Sequence, residues 1–150
     1  MTETQQRDNL RAEEIMALYS GIAAFEGKHF VRAYQLLQPL AVAGHPEAQY
    51  RLAVMYQNGL GMVKNEAHAF QYMKAAAEQG LGLAQHGLGF MYLQGECVAV
   101  DEAQGIAWFR QAAAQDLAGA QAMLASCYED GRGVPQDLEE AKRWYAKAGF

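Results

Sequence analysis

The sequence predicts an all-α protein, a solenoid of about four helix pairs, and three observations carry that expectation. Written in steps of 36 from Ala48, Ala84 and Ala120, the chain aligns with itself without a gap through the columns Ala48/Ala84/Ala120, Leu52/Leu88/Leu124, Tyr56/Tyr92/Tyr128, Gly59/Gly95/Gly131, Tyr72/Trp108/Trp144 and Ala76/Ala112/Ala148. Within each unit the apolar residues recur at helical spacing, not in the alternation of a strand. Glycines fall between those runs, where helices must stop.

The elements follow in order. A leader over residues 12–47 fits a shorter helix pair of about 34 residues, with Gly21, Ala33, Leu37 and Leu40 in the core positions and a turn at Gly27-Lys28-His29-Phe30. Pro39 falls inside its second helix, where the missing N–H predicts a kink. The repeats then span 48–83, 84–119 and 120–150, all in one domain of 1–150. In the first of them Ala48, Leu52, Ala53 and Tyr56 share one helical face, and Gly59-Leu60-Gly61 ends the helix. Ala69, Tyr72, Met73 and Ala76 mark the buried face of its second helix, which stops at Gly80. Asp101 with Gln104, and Asp137 with Glu140, have capping-box spacing. Gly89 and Gly105 read as points of close helix packing.

These columns, read as A-x-x-x-L-G/A-x-x-Y, then G-x-G-V, then A-x-x-W/Y-Y/F-x-K/Q-A-A, resemble the Sel-one-like repeat family, a relative of the tetratricopeptide repeats. The resemblance covers residues 48–150 closely and 12–47 more loosely, and departs at Cys97, where the loop's second glycine is lost. It implies a right-handed helical superhelix that works as an adaptor or scaffold for other proteins. Carried over by position, it also implies a groove lined by the first helix of each pair: Tyr50, Val54 and Gln57, then His86, Phe90 and Leu93, then Glu129 and Asp130. On that mapping the groove is apolar and aromatic early and acidic at its end. Ile15, Leu18, Ile22 and Phe25 occupy the corresponding face of the leader, as groove or as core.

Composition narrows the function further. The 150 residues carry 12 basic and 17 acidic side chains for a net charge of −5, which argues against a general nucleic-acid binder. No run of apolar residues is long enough to cross a membrane. The polar, acidic start MTETQQRDNLRAEE is unlike a secretory signal, and two widely spaced cysteines suit a reduced, cytoplasmic setting.

Catalytic and metal motifs are not evident. Neither serine, Ser20 or Ser126, lies in a nucleophile motif, and His29, His45, His68 and His86 form no H-E-x-x-H. The glycine turns lack the G-K-S/T of a phosphate loop, and no cofactor or metal is expected. Cys127 shares a column with Met55 and Met91, which predicts packing; Trp108 and Trp144 are expected between helices. Two readings remain. The leading one is a non-catalytic module that binds a partner protein or peptide in the groove. The alternative is a small hydrolase-like or ligand-binding protein with Cys97 or His86 as the reactive group. At the carboxyl end, Trp144, Tyr145 and Phe150 lie near an uncovered face that Phe150 could fold over or a second copy could cover as a homodimer.

Overall fold

The structure, a computed structural model, describes residues 1–9 and 11–150. Among them the chain forms eight α-helices and no strand: α1 (Glu3–Glu26), α2 (Phe30–Val42), α3 (Pro46–Asn58), α4 (Glu66–Glu78), α5 (Gly82–Gln94), α6 (Glu102–Ala113), α7 (Ala118–Asp130) and α8 (Leu138–Ala148). They group into two compact units, residues 1–72 and 73–150. The first helix begins at Glu3, well ahead of the leader expected from residue 12, because Thr2 and Gln5 form a reciprocal capping box. Pro39 lies inside α2, which continues to Val42.

In residues 1–72, α1, α2 and α3 enclose a core of Ala24, Ala33, Leu37, Leu40, Leu52 and Met55. Gly21 permits the approach of α1 to α2: a Cβ there would lie 2.5 Å from Leu37 Cδ2. In residues 73–150, Leu93, Ile106, Phe109, Ala112, Ala120 and Leu124 are buried together. Gly89 and Gly105 are the close-packing points expected of them. A Cβ on either would stand 3.0 Å from the carbonyl oxygen of the other, so α5 and α6 sit closer than an alanine pair allows. Cys127, like Met55 and Met91, is buried, as the packing column predicts.

Backbone hydrogen bonds repeat with the sequence. The N–H groups of Asn65, Asp101 and Asp137 donate to the carbonyls of Tyr56, Tyr92 and Tyr128 at 3.0, 2.9 and 2.9 Å. The same three side chains accept from the N–H of His68, Gln104 and Glu140, capping the second helix of each pair. The expected boxes at Asp101 and Asp137 are therefore one-sided. Their backbone N–H is already taken by a tyrosine carbonyl, and the Gln104 amide turns to the Asp101 carboxylate at 3.0 Å instead. Gln49, Gln85 and Gln121 form a second register: each is buried and donates from Nε2 to the carbonyl of Ala41, Ala77 or Ala113 at 3.2–3.3 Å. The departure at Cys97 keeps the loop geometry. Its φ of 63° is left-handed, beside 73° at the glycines of the same column, Gly61 and Gly133.

Candidate functional site

Within residues 1–72 the candidate surface lies on α3. Its first turn carries Glu47, whose carboxylate pairs with Arg51 one turn later, and the Arg51 guanidinium lies 5.9 Å from the centre of the Tyr50 ring. Tyr50 is half-buried; burial pushes its phenol up, with Arg51 acting in the opposite direction and Glu47 in the same one. Val54, one turn further, is also half-buried, and its carbonyl accepts from Asn58 Nδ2 at 2.9 Å. Gln57 is half-buried and engaged within the protein. The leader's apolar face divides: Leu18 and Phe25 pack against the core, whereas Ile15 is 54% exposed. Behind these residues Tyr56 stacks on Tyr72, with centroids 6.1 Å apart, and meets Tyr34 edge-on. Burial and a hydrogen bond with Tyr34 push its hydroxyl up to about 12.

Within residues 73–150 the three α5 candidates meet different fates. The His86 ring is half-buried, 5.6 Å from the ring of Phe109 on α6, with Gly119 of α7 against its Nε2 edge. Burial holds the imidazole below its ordinary value. Phe90 is half-buried against the core. Leu93 corrects the groove assignment: it is 1% exposed and belongs to the core. The cause is geometric. Leu93 lies one turn beyond Gly89 on the flank that faces α6, where a Gly105 Cβ would touch it at 3.3 Å. Glu129, in the same column, also faces the second helix of its pair, accepting from the Tyr145 hydroxyl of α8 at 2.9 Å, but is not buried. Its carboxylate remains exposed, as does that of Asp130.

The cysteines and the other histidines sit as follows. Burial pushes the Cys127 thiol up, with Arg132 opposing and Asp130 and Glu102 reinforcing. Cys97 is half-buried and in contact within the protein. His45 Nε2 lies 3.5 Å from Glu14, and His68 packs on Tyr56 with ring centroids 5.0 Å apart. Among the described residues, no three His, Cys, Asp or Glu side chains are grouped to hold a metal, and no helix is long and apolar enough to cross a membrane. Trp144 packs against the core of its unit, with its ring under Lys147 Nζ at 4.4 Å. Phe150 is 84% exposed and meets Tyr145 edge-on, with centroids 5.9 Å apart. The functional reading of the sequence overlooked the glutamine register, whose signal was the invariant second letter of the AQY, AQH and AQA starts.

Paired helices with capping, glutamine and glycine columns in register define a helical-repeat protein. The chain belongs to the Sel1 repeat family, whose model matches residues 46–81, 82–117 and 118–149. Those bounds begin at the first residues of α3, α5 and α7, two positions ahead of the alanine-based frame. Among solved structures it is similar to a Sel1 repeat protein from Oxalobacter formigenes, at 31% identity and a TM-score of 0.83 over 88% of this chain and 53% of that one. It is also similar to a protective antigen present in uropathogenic Escherichia coli strains displaying an SLR fold, at 34% identity and a TM-score of 0.85 over 99% of this chain and 33% of that one. The chain thus spans about half of the first and a third of the second. No curated protein matches it. Repeats of this family generally mediate interactions between proteins.

Proposed function

We propose that the chain is a non-catalytic interaction module that holds a partner protein or peptide against the outward flanks of its first helices. Tyr50 and Val54 on α3, and His86 and Phe90 on α5, supply aromatic and aliphatic contacts. Gln57 borders the first pair, and Asp130 with Glu129 adds negative charge at the end of α7. The observation that carries this reading is the partial exposure of these apolar side chains on helices whose other apolar faces are buried. Buried Leu93 contributes by holding α5 against α6, not by touching a partner. The module acts in the cytoplasm, a placement that rests on the reduced-thiol reading of the sequence. It pairs with a second copy through the α8 face, where Phe150 and Leu138 are exposed at 84% and 56%.

The test compares co-purification by the tagged chain with that by Val54→Glu and Tyr50→Ala. A charge or a truncation at the centre of a contact costs more than about tenfold in recovery of the partner, while Cys97→Ala leaves it unchanged. Equal recovery by all four chains would falsify the assignment, and a catalytic turnover abolished by Cys97→Ala would replace it.

A further inference from the structure

The leading helix pair differs from the others in the charge of its second helix. No Asp or Glu occurs between Glu26 and Glu47, whereas Lys28, His29 and Arg32 fall together at the start of α2. The first turns of α4, α6 and α8 all hold glutamate; that of α2 holds none. From Arg51 onward every lysine and arginine is engaged, by a carboxylate, by the Tyr128 hydroxyl for Arg110 or by the Trp144 ring for Lys147. The Lys28 and Arg32 side chains meet no acidic group among the described residues, and both line one cleft of about 460 Å³ with His29, Phe30, Val31 and Gln35.

The scaffold beneath them is fixed. The N–H groups of Lys28 and His29 donate to the carbonyls of Phe25 and Ala24 at 3.1 and 2.8 Å, and the Phe30 ring meets Phe25 edge-on, with centroids 5.8 Å apart. Lys28 has a φ of 63°, a left-handed conformation in which glycine is unstrained and a lysine is not. Val31 is 62% exposed beside it. The same face is outward in an interior repeat. Ala103, Gln104 and Ala107, which hold the places of Val31, Arg32 and Gln35 two repeats later, are exposed although α6 packs against both α5 and α7.

We propose that this cleft docks an acidic linear segment of a partner protein, one that carries an apolar side chain between its carboxylates. One carboxylate takes the Arg32 guanidinium through two parallel N–H groups, and a second meets the Lys28 ammonium. The apolar side chain lies on Val31 and the edge of Phe30. Charge complementarity decides the occupant. A protein of net charge −5 repels polyanions at a distance, and two cations are too few to hold a nucleic acid or a membrane surface, whereas they match a pair of carboxylates. The surface lies on the second helix of its pair, so it adds a contact to the first-helix flank that carries Tyr50 and Val54.

The experiment measures the fluorescence anisotropy of three labelled hexapeptides with the full chain. The first places leucine and phenylalanine between two pairs of acidic residues, the second replaces the acids by glutamine and asparagine, and the third replaces the apolar pair by serines. Saturable binding is expected for the first alone, weakening as salt rises. Lys28→Gly and Arg32→Gln each weaken it about threefold to fivefold, and together about tenfold or more, the scale of exposed ion pairs. Lys28→Gly also relieves the left-handed backbone, so its loss of binding comes with undiminished stability to urea and is not a loss of fold. Lys142→Gln, at a cation already paired with Glu139, leaves binding unchanged. Equal binding of the amide peptide, full binding by the double variant, no binding of any peptide, or capture of phosphatidylserine vesicles in place of the peptides would overturn the proposal.

Discussion

His86 carries a pH signature of its own position. Wedged between Phe109 and Gly119, its imidazole is held below its ordinary value by burial, so the neutral ring is the form the fold prefers. Above about pH 6.5 the ring is neutral folded or unfolded and contributes no pH dependence. As the pH falls below that value the unfolded chain binds the proton first, and stability declines until the pH reaches the folded-state value. Denaturant titrations at pH 7.5 and 5.5 should therefore show a loss for the wild type that His86→Gln reduces. The same loss in both proteins contradicts the assignment. At this scale the sequence is legible in part. The periodicity singles out Leu52, Leu88 and Leu124 as core, and all three are fully buried. Position 93 misleads because the columns bordering a helical stripe are decided by how closely the next helix approaches. In this repeat Gly89 and Gly105 bring α6 near enough to cover Leu93.

Helix ends show what pattern captures and what it cannot. Glycine at 59, 95 and 131 marks the end of α3, α5 and α7, and each takes a left-handed conformation, with φ of 66°, 73° and 65°. Asp101 and Asp137 are recognisable as caps from the polar residue three positions on. Asn65 is not, because His68 occupies that position, yet its Oδ1 accepts from the His68 N–H at 2.9 Å and its N–H reaches the Tyr56 carbonyl. Replacing Asn65 by alanine should cost about 1 kcal/mol of stability, and Asn65→Asp should retain most of it. Equilibrium unfolding by urea measures both; an unchanged midpoint in the alanine variant means the cap is idle. The tyrosine-carbonyl bonds that turn the expected boxes into one-sided caps depend on a loop conformation, which residue spacing does not encode. The start of α1 was missed for a related reason: its capping pair lies ahead of the first apolar column.

On the scale of the whole molecule, family and repeat number were legible because a period of 36 survives substitution at most other positions. Which surface would meet a partner was not, since the repeat constrains the core and loop columns and leaves the surface columns free to vary. The proposed self-association through α8 concerns such columns. Light scattering over a rising concentration series should show the mass move toward twice 16.5 kDa, with Phe150→Ser shifting the transition to higher concentration. A constant monomer mass rules out the α8 contact. The central claim, that the first helices face the partner, is tested most directly by site-specific photo-crosslinking. A photoreactive residue at position 54 or 130 should yield a partner adduct in cells, whereas one at the exposed Ala67 of α4 or Ala103 of α6 should not. Adducts from Ala67 and Ala103 with none from 54 or 130 would contradict it.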